Sequence, residues 1–169
     1  MKPKLSKPII SIKPTVVDRI LEAVGVVLLL VMWGFVLWYY PTLPQMIPIH
    51  FGPDGIPDGF GSKSSLFILP ITATVLYAFM LVAAYFPHLG NYPVKVTEEN
   101  APRLYRYCAS LLRELGVGCN VLFIWLVVGT CRTAMNQANG LGGWFLPCML
   151  MMLAPMIYYL TRMALAGEK

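Results

Sequence analysis

Leu43-Pro44-Gln45-Met46-Ile47-Pro48-Ile49-His50-Phe51-Gly52-Pro53-Asp54-Gly55-Ile56-Pro57-Asp58-Gly59-Phe60-Gly61-Ser62-Lys63 is the one long stretch of this sequence specified by turn chemistry and not by solubility in lipid. Gly52-Pro53-Asp54-Gly55 is a four-residue turn signal. Proline presets the first central φ, aspartate tolerates the second, and glycine accepts a left-handed backbone. Ile56-Pro57-Asp58-Gly59 repeats the signal four residues on. Before both, Ile47, Ile49 and Phe51 alternate with Pro48 and His50 as a short edge strand would. The expected structure is a compact two-turn or hairpin-like lid over residues 41–63, with Ile47, Ile49, Phe51 and Phe60 as a small core of its own.

On each side of this loop lies an apolar segment long enough to cross a bilayer. The chain is 57% hydrophobic and 12% charged, about half the charge of an ordinary soluble domain. An all-α membrane protein follows, with four transmembrane helices predicted at about 16–40, 64–86, 112–131 and 144–162, forming a single domain over 16–163. Residues 1–15 are a basic arm broken by Pro3, Pro8 and Pro14, expected to be disordered or to lie on anionic lipid. Residues 164–169 form a short tail. The basic start suggests a signal peptide, but the apolar run to Tyr40 is long and no small-x-small cleavage site follows, so it reads as a retained anchor.

Asp18, Arg19 and Glu22 fall in the first turns of the first span, at the interface. Trp33, Trp38, Tyr39 and Tyr40 mark its other end, where amphipathic rings favour the headgroup level. Pro41 and Pro44 stop the helix. Ser62, Ser64 and Ser65 are candidate N-caps for the second span, and Pro87 ends it. In residues 100–113, Leu104, Cys108 and Leu111 recur at helical spacing with Arg103, Arg106 and Arg113 off that stripe. This predicts an interfacial helix running into the third span, its three arginines serving as lipid-headgroup anchors. Asn120 is expected to make an interhelical hydrogen bond. Pro155 predicts a kink in the fourth span, among Met149, Met151, Met152 and Met156.

Eleven of the 13 Lys and Arg residues lie in the arm, the central connection and the C-terminus; Lys63 and Arg132 alone occupy the other two loops. The positive-inside bias puts both termini in the cytoplasm and the 41–63 loop outside. The net charge of +5 therefore reflects topology, and no nucleic-acid partner is expected. Cys108, Cys119, Cys131 and Cys148 show no paired spacing and read as small apolar side chains.

The pattern Leu43-Pro44, Ile47-Pro48, His50-Phe51-Gly52, Asp54-Gly55, Pro57-Asp58-Gly59 and Gly61-Ser62-Lys63 resembles the N-terminal domain of unknown function of SdpI-like bacterial membrane proteins, which are immunity proteins and signal transducers for a sporulation-delaying toxin. Asn100-Ala101-Pro102-Arg103-Leu104-Tyr105-Arg106 is similar to such proteins as well. The resemblance implies residence in the bacterial cytoplasmic membrane and a role in binding, sensing or immunity. Longer members carry additional C-terminal spans.

His50, Asp54 and Asp58 are the only clustered ligand-type residues. One histidine and two aspartates make a poor zinc site, and the aspartates lack calcium-loop spacing. Their places in Pro-Asp-Gly turns already account for them, so no metal and no cofactor is expected. His50, Phe51, Asp54, Asp58 and Lys63 stand as candidates for contacting an extracytoplasmic peptide or protein. There is no H-E-x-x-H, G-x-S-x-G or P-loop pattern, which argues against an enzyme. No charge falls mid-span, so a proton relay lacks a carrier. The rival to a sensing module is a small transporter or channel subunit acting as a homo-oligomer; a metal-dependent membrane enzyme ranks third.

Overall fold

The computed structural model describes residues 7–166. Lys2 and Lys4 of the arm and Lys169 of the tail, which enter the charge count above, lie outside the described residues. Helix α1 spans Val16–Tyr39 and is opened by a capping box: Thr15 accepts from the Asp18 N–H, and the Asp18 carboxylate accepts from the Thr15 N–H. Strands β1 (Met46–Phe51) and β2 (Pro57–Ser62) form an antiparallel hairpin. A 3-10 turn, Lys63–Phe67, feeds helix α2 (Ile68–Tyr85), with Ser62 as the cap residue of that turn. Helix α3 runs unbroken over Ala101–Ala134, and α4 (Phe145–Met151) and α5 (Leu153–Leu165) complete the chain.

Among the described residues, four helical segments are long and apolar enough to cross a membrane: Val16–Thr42, Lys63–Tyr85, Ala101–Ala134 and Phe145–Leu165. Large apolar side chains such as Leu30, Leu37, Val75 and Phe79 point outward and stay exposed. In water they would form an implausible apolar surface; in hydrocarbon they need no cover. The molecule is a multi-pass helical membrane protein with one small sheet.

The bundle is built on a spacing of alternating threes and fours. On α1 the inward residues are Asp18, Glu22, Gly25, Leu29, Met32 and Val36, and on α3 they are Ala109, Arg113, Gly116, Asn120, Phe123, Val127 and Thr130. Pro70, Ala73, Tyr77, Met80 and Ala84 do the same on α2. Such a spacing keeps one seam of each helix facing its neighbours. Between helices in lipid, close packing and a few hydrogen bonds replace hydrophobic burial as the cohesive terms. Tyr77 shows how. A Cβ on Gly25 would stand 2.3 Å from its ring, and one on Gly116 3.1 Å from it. The two glycines make a slot between α1 and α3, and in that slot the Tyr77 hydroxyl donates to the Glu22 carbonyl at 2.7 Å. Tyr77→Phe keeps the packing and loses one buried hydrogen bond, so an unfolding free energy lower by about 1 kcal/mol is expected from denaturant titration in detergent.

Two expectations about irregular segments need revision. The fourth span does break, but at Met152, between α4 and α5, and not at Pro155 itself. Proline has no N–H for the carbonyl of Met151 and its ring crowds that carbonyl, so the interruption falls one turn earlier. The arm is not loose over its described part. Ile10 and Ile12 pack with Leu104, Tyr105 and Met163, and the Tyr105 hydroxyl donates to the Pro8 carbonyl at 2.8 Å. Alternate residues face in and out, which is how an extended strap lies on a helix. Lys7 donates to the Gly90 carbonyl and sits over the Tyr92 ring; burial, then the neighbouring Cys108, pushes the Tyr92 phenol up.

Candidate functional site

The β1–β2 hairpin lies between α1 and α2 in the chain. Its ladder pairs Ile47 with Gly61, Pro48 with Phe60, His50 with Gly59 and Phe51 with Pro57. That register leaves Ile49 on β1 and Asp58 on β2 without a direct partner, two bulges in one short hairpin. Bulges redirect side chains, and here the His50 imidazole Nδ1 meets the Asp58 carboxylate Oδ1 on the exposed side. Asp54 is spent on its own turn: Oδ1 accepts from the Ile56 N–H at 3.0 Å, beside the Gly55 N–H to Gly52 carbonyl bond at 2.9 Å. Gly55 has φ +77°, the left-handed conformation the turn signal demands.

The expected private core of the hairpin does not form. Ile47 is buried, but Ile49 is 52% and Phe60 57% exposed. Ile49 lies over Gly61, where a Cβ would come within 2.8 Å of its Cδ1, and so it packs on the opposite strand. Ile47 instead joins Leu43, Leu66, Met32, Val36 and Val127 in the core of the bundle. Lys63 is also turned away from the hairpin crest. Its Nζ sits over the Tyr40 ring and 3.5 Å from the carbonyls of Tyr40 and Leu43, where a cation complements the C-terminal end of α1.

The hairpin tip is latched to the α3–α4 connection. The Leu141 N–H donates to the Gly55 carbonyl at 2.9 Å, and the Trp125 indole donates to the Leu141 carbonyl at 2.9 Å. The Leu141 side chain sits on Gly129. Beneath β1 this arrangement encloses a half-open cavity of about 410 Å³, walled by α2 (Leu69), α3 (Leu126 and Thr130), Leu141, Phe145 and the hairpin itself. Phe51 and His50 both border it. Of the residues singled out from sequence, the fold thus brings His50, Phe51 and Asp58 together and separates Lys63 from them.

The opposite end of the bundle holds a group that the sequence reading misplaced. Arg113 is no headgroup anchor: its side chain is 3% exposed. Its Nε donates to Glu22 Oε1 at 2.7 Å, and its Nη1 donates to the Ala109 carbonyl at 3.2 Å and lies 3.8 Å from Asp18 Oδ1. The Tyr85 hydroxyl donates to Glu22 at 3.0 Å, and the Tyr85 ring stacks under the guanidinium at 5.2 Å. One turn deeper in α1, Asn120 donates to the Gly25 carbonyl at 3.0 Å, the interhelical bond expected of it. Arg113 is buried because it stands on the inward seam of α3, opposite two acids on the inward seam of α1. That shared spacing is the signal a sequence reading could have used. Arg103 and Arg106 are exposed.

The fold defines a multi-pass helical membrane protein whose small sheet covers a cavity; among the described residues no three His, Cys, Asp or Glu side chains gather to hold a metal. A family model for a domain of unknown function, DUF1648, matches residues 27–74, which are the second half of α1, the hairpin and the start of α2. An uncharacterized protein of Archaeoglobus fulgidus is 30% identical over 98 residues, 57% of this chain. The chain spans about half the length of that relative, 52%. No solved structure matches.

Proposed function

We propose that this chain is a binding or sensing module of the bacterial cytoplasmic membrane, SdpI-like in its outward loop, with both termini in the cytoplasm. The hairpin meets a peptide or protein outside, and the arginine-bearing first half of α3 reports the event inside. The observation that supports this reading is α3 itself. Its 34 residues make a rod of about 51 Å, longer than the hydrocarbon core of about 30 Å. One end walls the hairpin cavity, the other carries Arg103 and Arg106. A helix that long transmits a displacement without needing a second moving part.

The test is tolerance of a membrane-active peptide toxin applied to cells producing the chain. His50→Ala and Asp58→Ala, inserted at parental levels, are expected to lower tolerance. Direct contact by the pair implies a drop of about tenfold, since each 1.4 kcal/mol of lost affinity is a factor of ten. Parental tolerance in both variants would remove the hairpin crest from the function. Solute exchange by vesicles holding the purified protein would instead favour the transport-subunit reading.

A further inference from the structure

We propose that the cavity beneath the hairpin binds one acyl chain of a phospholipid from the hairpin-side leaflet. The inference concerns the occupant of the cavity and holds whether or not the chain signals. Depth is the first argument. Exposed Trp38 and Trp144 mark the headgroup level at this end. Leu126 on the cavity wall lies about 12 Å along α3 from the end of that helix at Ala134. The wall therefore reaches from the headgroup level into hydrocarbon.

Access is the second argument. Of the side chains that line the cavity, Ile49 and Ile68 are apolar and exposed, and the exposed imidazole of His50 stands beside them. A mouth with exposed apolar side chains and one polar ring suits the boundary between headgroups and lipid tails.

Size and chemistry then choose among apolar occupants. One turn of α-helix with its side chains, a cylinder about 10 Å across and 5.4 Å high, fills roughly 420 Å³. The half-open cavity, about 410 Å³, is of that same order, so a flexible hydrocarbon chain enters it more readily than a rigid helix of several turns. The wall is mostly apolar, with the hydroxyls of Ser65 and Thr130 and the imidazole of His50 as its polar groups, and it contains no Lys or Arg. A free fatty acid would bring a carboxylate with no cation to meet it. An esterified chain brings carbonyls that accept from hydroxyls. A few directed polar groups in an apolar pocket of about 300–1,000 Å³ are what a small-ligand site presents.

The experiment uses the full chain in nanodiscs of phosphatidylethanolamine and phosphatidylglycerol containing a phosphatidylethanolamine with a diazirine near the end of one chain. After irradiation, adducts are mapped by mass spectrometry. Peptides holding Leu69 and Leu126 should carry about fivefold more adduct than those holding the lipid-facing Val75 and Phe79, the preference that about 1 kcal/mol produces. Leu69→Trp and Leu126→Trp fill the space and should reduce the excess to background at an unchanged unfolding temperature. The parental map decides even if both variants misfold. Equal labelling of cavity and lipid-facing peptides would overturn the proposal. So would an excess that persists in folded tryptophan variants, or labelling of the cavity by a diazirine fatty acid or hydrophobic peptide but not by the phospholipid.

Discussion

Arg113→Met is expected to destabilise the protein by about 3–5 kcal/mol, the range seen when one partner of a buried ion pair is removed and its counter-charges stay behind. The parent chain holds Arg113 against Glu22 at 2.7 Å and near Asp18 at 3.8 Å, with the guanidinium almost wholly covered. Methionine matches the length of the arginine stem but leaves two carboxylates facing an apolar side chain. Desolvated and without a counter-charge, they oppose the packing of α1 on α3. Unfolding in mixed micelles, followed by loss of helical signal, should show the shift directly. The triple replacement Asp18→Asn, Glu22→Gln and Arg113→Met removes all the charges and should recover most of the loss, because substitutions within one network are not additive. A single variant as stable as the parent, or a triple variant as unstable as the sum of its parts, would mean the three side chains do not act as a network.

The reason these residues escaped a reading from sequence is physical. A charge in the first turns of a transmembrane helix can snorkel to headgroups or turn inward to a partner, and local composition does not distinguish the two. Asp18, Glu22 and Arg113 are each compatible with the interface when taken alone. Only the alternation of threes and fours, carried from Asp18 through Val36 and from Ala109 through Thr130, places them on facing seams. The spans themselves were legible because lipid imposes a length and an apolar content that no other environment requires. The hairpin was legible because Pro-Asp-Gly turns are local chemistry. Its packing was not. Whether Ile47 or Ile49 turns into the bundle depends on the bulge at Ile49, and a bulge shifts the inward face by one residue without any mark in the apolar pattern. The latch between Gly55 and Leu141 joins segments far apart in the chain and has no local signature.

That latch is the target of the second large effect. Gly140→Ala should release the hairpin tip from the α3–α4 connection. A Cβ at Gly140 would stand 2.1 Å from the Gly55 carbonyl oxygen, and φ there is +146°, so both space and backbone exclude a side chain. The carbonyl belongs to the main chain of a tight turn and cannot swing aside as a side chain would. The connection must retreat, and with it goes the Leu141 N–H bond to Gly55 at 2.9 Å. Backbone strain of about 1–3 kcal/mol and a hydrogen bond of about 1 kcal/mol give roughly 2–4 kcal/mol in favour of the undocked form. Amide exchange reads this at one position. The Leu141 amide should exchange at least about 30-fold faster in the variant, the factor that about 2 kcal/mol sets. Gly143→Ala is the matched control, since a Cβ there meets nothing within 4 Å, and it should exchange as the parent does. Because Leu141 and Phe145 are cavity walls, the same variant should also open the space beneath β1. Equal protection of Leu141 in both variants would show that the hairpin is held by its strands and the Ile47 core alone, with the α3–α4 connection a bystander.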